Sequence, residues 1–178
     1  GGFGNISSES FDGVQVSGFN NISKSVSQSV QVSGFANLSR DANSTFQFSG
    51  FTNVSPFGGN NSQVAGFLNV AEKIDGLQLA GFANVAEQVQ GTQIAGFVNV
   101  CDSIDGIPIA FLNLVKNNGF KSFDISISDF NYFQFSYKMG IPQFYNIYAL
   151  GKPTGAFSRW SIGGGFGRRF VLDEKYIL

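Results

Sequence analysis

A Phe followed two residues later by an Asn recurs eight times at a nearly constant step, and this register limits the possible folds more than any other feature. The pairs are Phe3/Asn5, Phe19/Asn21, Phe35/Asn37, Phe51/Asn53, Phe67/Asn69, Phe82/Asn84, Phe97/Asn99 and Phe111/Asn113. Successive Phe residues lie 16, 16, 16, 16, 15, 15 and 14 positions apart. Around each pair the unit reads Gln, apolar, Ser or Ala, Gly, Phe, variable, Asn, apolar, Ser or Ala. QVSGFANLS (31–39), QLAGFANVA (78–86) and QIAGFVNVC (93–101) are clear copies.

Strand side chains alternate between faces. Read as one nine-residue strand, Gln93, Ala95, Phe97 and Asn99 share a face, opposite Ile94, Gly96, Val98 and Val100. Between such runs lie polar stretches, AEKIDG (71–76), AEQVQG (86–91) and CDSIDG (101–106), rich in turn residues. Each keeps one apolar residue seven positions after the Phe, as at Val26, Ile74, Val89 and Ile104. A pure turn has no use for it, whereas a short second strand over a core does.

One repeat per coil of a parallel β-solenoid accounts for all of this, with about seven coils. Stacking places equivalent residues roughly 4.8 Å apart. Asn21, Asn37, Asn53, Asn69, Asn84 and Asn99 then form an amide ladder, and Phe19, Phe35, Phe51, Phe67, Phe82 and Phe97 a stack of rings. The Gly before each Phe suits a tight bend or a close backbone approach. An antiparallel meander of one strand and one turn per repeat is the rival architecture, but it alternates the Asn residues between its ends. Ser10, Ala42 and Gly58 occupy the apolar slot in three early units, and Ser gives way to Ala at the small positions after Ser55. Looser packing is therefore expected toward the N-terminus. The sequence opens within a repeat, Gly2-Phe3 aligning with Gly18-Phe19. This leads us to expect either a processing boundary or another chain over the open coil.

After Asn117-Asn118-Gly119 the repeat stops, dividing the chain into a solenoid over 1–117 and a second part over 118–178. Alternation in FDISISDF (123–130), YFQFSYKMG (132–140), QFYNIYALG (143–151) and RWSIGGGFGRRFVL (159–172) predicts antiparallel strands. Turns are expected at Asn131, at 140–142 and at 151–155. All five Tyr and Trp160 lie here, and aromatic, Gly-rich strands of this length are also the pattern of outer-membrane barrels. Four strands are too few to close one, so this part is expected to be either a small sheet that caps the solenoid or part of a barrel whose other strands come from elsewhere.

Only 13% of residues are charged, and 23 Gly and 21 Phe suit an all-β protein. Residues 1–116 carry four basic and eight acidic residues, a balance of −4, and residues 117–178 carry seven and four, a balance of +3. Neither is a nucleic-acid footprint.

The chain has no His, which removes Ser-His and Cys-His schemes and His metal sites. Cys101 stands in a slot otherwise filled by Ser or Ala and reads as a buried small residue. Asp12, Asp75 and Asp105 each precede a Gly, but Gln90 interrupts the column that stacked carboxylates would need to hold Ca²⁺. Gly163, Gly165 and Gly167 lack the spacing of a phosphate loop. We therefore expect no catalytic residue, cofactor or metal site.

The order of motifs resembles the surface-repeat proteins of Bacteroidetes outer envelopes. It runs G-x-Q-[IL]-A-G-F-x-N-V-A, then GIPIAFLNLVKNNGF, then YKMG, FYNIYALG and WSIGGGFG, and is most specific from Gly76 to Gly167. The resemblance implies an outer-membrane or cell-surface location and a non-catalytic structural or interaction role. The C-terminal strands would contact lipid. A soluble module that grips a polymer or protein through stacked Asn, Gln and Phe columns is the alternative.

Overall fold

The computed structural model describes residues 2–59, 61–127, 131–153, 159–173 and 176–177. Eleven strands build the repeat region. They are β1 (Gly4–Ser17), β2 (Asn20–Ser33), β3 (Ala36–Asn43), β4 (Phe46–Ser49), β5 (Thr52–Ser55), β6 (Phe57–Gly59), β7 (Asn61–Ala65), β8 (Leu68–Ala80), β9 (Ala83–Ala95), β10 (Val98–Ile109) and β11 (Leu112–Val115). All pair in parallel, each coil with the next, so the architecture is the solenoid and not the meander. The register aligns Asn with Asn along the whole stack, as in Asn69↔Asn84 and Asn84↔Asn99. Gln aligns with Gln in the same way, as in Gln63↔Gln78 and Gln78↔Gln93.

The nine-residue strand expected over 93–101 is instead two. The chain bends at Gly96-Phe97, between β9 and β10, and the ring of Phe97 turns outward while Asn99 points into the coil. Gly is required at this corner because coils approach backbone to backbone: a Cβ on Gly81 would overlap the carbonyl oxygen of Gly66. The far corner needs a different glycine, Gly76, Gly91 and Gly106 having positive φ of 144°, 133° and 150°.

Val26, Ile74, Val89 and Ile104 are buried as expected. In the first unit the slot belongs to Phe11 rather than Ser10, because a register shift between Ser7 and Ser10 places Phe11 opposite Val26.

A second sheet follows, antiparallel in the order β12 (Phe120–Ser126), β13 (Asn131–Ile141), β14 (Phe144–Pro153) and β15 (Ser161–Gly167). Asn131 lies in β13 rather than in a turn, and the β13–β14 turn falls at Pro142-Gln143. The stretch 159–172 is not one strand: β15 ends at Gly167, and β16 (Val171–Asp173) pairs separately with β17 (Tyr176–Ile177). The turn expected over 151–155 begins after Pro153, outside the described residues. A continuous apolar core joins the two parts, running through Ile74, Val89 and Ile104 to Val115 and Ile141, with Phe144 packed against it.

Candidate functional site

The solenoid interior is built from amides. Each Asn donates from Nδ2 to the Oδ1 of the Asn one coil further toward the C-terminus, in an unbroken series from Asn5 to Asn113 at 2.8–3.0 Å. The same nitrogen also reaches carbonyls across the coil, as Asn84 does to Ile94 at 2.7 Å and Gln78 at 3.2 Å. One side chain thereby ties two arms of a coil together and to the next coil. Burial makes this arrangement obligatory, since an unpartnered amide away from water costs about 1–3 kcal/mol.

A second ladder of Gln15, Gln31, Gln47, Gln63, Gln78 and Gln93 runs beside the first with the opposite polarity. Each Nε2 donates back to the Gln one coil nearer the N-terminus, at 2.7–2.9 Å. The Gln in the repeat formula was the signal for it. Pro108 replaces the next Gln and has no amide to donate, so Gln93 Oε1 is left without a partner.

The Ser-rich early coils use their hydroxyls in this network. Ser23, Ser39 and Ser55 donate to Gln15, Gln31 and Gln47 at 3.0, 2.8 and 2.8 Å. Where Ala71 and Ala86 replace them, Gln63 and Gln78 have no hydroxyl in that slot, and their Nε2 groups also donate to the carbonyls of Val70 and Val85.

The columns are therefore the structural ladder that the repeat implied: Asn21 to Asn113 and Gln15 to Gln93 are buried, and apart from Gln93 Oε1 their amides contact one another and the backbone, which leaves the alternative of an Asn and Gln binding face without exposed amides. Phe19, Phe35, Phe51, Phe67, Phe82 and Phe97 stack outside, centroids 4.9–5.3 Å apart, and remain about two-fifths exposed.

Both C-terminal continuations end on β14. Asn113 donates to Asn146 Oδ1 at 2.7 Å, and Asn146 donates to the carbonyls of Ala110 and Phe111 at 2.7 and 2.9 Å. The ring of Phe111 meets Tyr148 edge-on at 5.5 Å. Asn146-Ile147-Tyr148 thus answers Phe111-Leu112-Asn113 in reverse chain order. Burial pushes the Tyr148 phenol pKa up, against the opposing pull of its hydrogen bond from Asn146.

The face of this sheet turned to the last coil is apolar. Cross-strand register brings Phe123, Ile125, Phe135, Tyr137, Leu150 and Ile162 together on it. The coil covers only part of this face, leaving a groove of about 870 Å³ between Phe111 and Ile109 on one side and Phe123, Leu150 and Phe166 on the other. Gly163, Gly164 and Gly165 line the groove, and a Cβ on any of them would meet nothing closer than 3.6 Å. Their own packing does not demand Gly. On the opposite face Lys138 pairs with Asp124 at 3.0 Å and holds its carboxyl below the usual carboxylate range.

Gln90 separates Asp75 from Asp105 in the register, so the two carboxylates are two coils apart. The described residues contain no group of three or more His, Cys, Asp or Glu arranged to hold a metal. Burial, with a lesser contribution from Asp102, pushes the Cys101 thiol up to about 12. In comparisons with protein-family models, curated proteins and solved structures, nothing matches this chain.

Proposed function

We propose that this chain is a non-catalytic scaffold of the bacterial outer membrane or cell surface, in which the solenoid is a rigid spacer and the C-terminal sheet contacts lipid. The single observation that carries this reading is the apolar sheet face. Ile162 is 88% exposed, and Phe123, Ile125 and Phe166 are also largely bare. A contiguous apolar surface of that kind is an interaction site by its energetics. The glycines of β15, which their own packing does not require, keep the face open. The resemblance over Gly76–Gly167 to Bacteroidetes surface-repeat proteins supports the same location.

Flotation of the purified chain with phosphatidylethanolamine–phosphatidylglycerol vesicles tests the proposal. The chain is expected to rise with the vesicles, and the double variant Ile125→Asp, Ile162→Asp to stay at the bottom with unchanged circular dichroism. A wild-type chain that stays in the aqueous fraction overturns the lipid contact.

The exposed Phe ridge favours a second reading, a soluble module that binds a polymer or protein. With the Asn and Gln columns buried, the Phe ridge is the one of the three columns exposed for that contact. Retention on a glycan array or in an envelope-extract pulldown, lost in Phe51→Ser with Phe67→Ser, would favour it over the first reading.

A further inference from the structure

The arm of each coil that follows the Phe corner repeats one outward order: the ring, then an aliphatic residue, then a residue just before the far turn. The register stacks the aliphatic residues into an unbroken column of Ile22, Leu38, Val54, Val70 and Val85. Ile22 and Leu38 are exposed and the three Val half-buried. The pairings on either side place Lys24, Arg40, Pro56, Glu72 and Glu87 in the column beyond it. Lys24, Arg40, Pro56 and Glu87 are exposed and Glu72 half-buried. This surface runs along the side of the stack, where the pairing of coil with coil does not cover it.

The outer column is segregated by sign. Lys24 and Arg40 occupy successive coils, Pro56 is neutral, and Glu72 and Glu87 follow on the next two. Like charges on neighbouring strands repel, so this order is unfavourable within one chain. A second column running the opposite way relieves it. Two copies laid face to face about a two-fold axis crossing the stack at Val54 and Pro56 run antiparallel. Ring then meets ring and aliphatic meets aliphatic. Arg40 faces Glu72 of the other copy, and Lys24 faces Glu87. Asp41 and Lys73, in the adjoining column, exchange places about the same axis and also meet as opposites. A parallel arrangement, about an axis along the stack, would instead lay the rings on the charges.

We propose that this side of the solenoid is a homodimer interface, on which a second copy packs antiparallel. At about two-fifths exposure, the five rings from Phe19 to Phe82 offer roughly 400 Å². The aliphatic column and the four charged side chains supply roughly as much again, which reaches the ~800 Å² per partner of a standard interface. Both copies use the same patch, so the assembly closes as a dimer. Glu72 Oε2 accepts from the Gly58 amide at 3.0 Å, and a carboxylate has acceptor sites to spare for Arg40 of the other copy. The inference does not rest on the lipid contact proposed above, which uses the C-terminal sheet.

Light scattering after size exclusion should give twice the 19.1 kDa chain mass. Arg40→Glu sets a like charge against Glu72 in both halves and should weaken the dimer at least about tenfold with unchanged circular dichroism. Adding Glu72→Arg to that variant restores opposite charges and should restore the dimer. In a Cys101→Ala background, an equimolar mixture of Leu38→Cys and Val70→Cys chains should oxidise mainly to the mixed 38–70 disulfide. Predominant 38–38 and 70–70 disulfides would overturn the antiparallel pairing. A monomeric mass at ~100 μM, well above typical specific interface affinities, would overturn the interface. So would a dimer that Ile125→Asp with Ile162→Asp abolishes and Arg40→Glu leaves intact, since its contact would lie on the sheet.

Discussion

Replacing Asn84 by Ala removes one rung from the middle of the buried ladder. In the native coil Asn84 Oδ1 accepts from Asn69 at 2.9 Å, and Nδ2 donates to Asn99 Oδ1 at 3.0 Å and to the carbonyls of Ile94 and Gln78. The side chain is fully buried, so water cannot take over these contacts. Asn69 keeps its bonds to Gln63 and Leu79 and loses least. The Ile94 and Gln78 carbonyls and Asn99 Oδ1 each lose a donor. Three such losses, the one to Gln78 the weakest at 3.2 Å, at about 1–3 kcal/mol each give an expected cost of about 3 kcal/mol after relaxation. For a chain of this size that corresponds to a fall in Tm of about 6–12 °C. Urea denaturation followed by far-UV circular dichroism measures the free energy, and hydrogen exchange locates it. Because coils contact only their neighbours, exchange should accelerate in β8, β9 and β10 and not in β13 or β14. Gln88→Ala, on the exposed surface of the same coil, is the control and should change stability by less than about 0.5 kcal/mol. An equally small change for Asn84→Ala would refute the buried-ladder energetics.

Four further outcomes are expected. Ser33 Oγ is buried without a partner where later coils carry Ala, so Ser33→Ala should be neutral or stabilising by up to about 1 kcal/mol in urea melts. Ser39→Ala, which loses the bond to Gln31, should cost about 1 kcal/mol. Asn146→Ala should uncouple the sheet from the last coil, raising exchange in β14 while β2 and β3 stay protected; uniform exchange changes would disprove a local closing role. For Cys101, the unfolded chain's thiol titrates at its ordinary value of 9.0, while the folded thiol stays protonated to about 12. The unfolded state therefore holds fewer protons in that window, and stability should fall as pH rises from about 9 toward 12, less so in Cys101→Ala. The native thiol should also resist iodoacetamide at neutral pH and react fully in denaturant.

Repetition made most of the solenoid legible. A parallel stack pairs each residue with its own equivalent, so a conserved spacing specifies register, partner and face together. The Asn ladder and the buried Val26, Ile74, Val89 and Ile104 follow from that alone. Phe97 was the exception, because strand parity does not survive the corner that Gly96 makes. Ser10 failed for a similar local reason: the bulge in β1 moved Phe11 into the slot.

The sequence by itself determined the stack, its two amide columns and the change of architecture after Gly119. Only the tertiary structure decided how the stack ends. Asn146 lies 33 residues beyond Asn113 and belongs to no repeat, so no periodicity announces the rung it completes. The opposite polarities of the two ladders were equally invisible, since they depend on amide orientation, which residue identity does not encode. Closure of the last coil is a consequence of long-range contacts, because Asn113 and Phe111 find their partners in Asn146 and Tyr148 only once β14 has folded back against them.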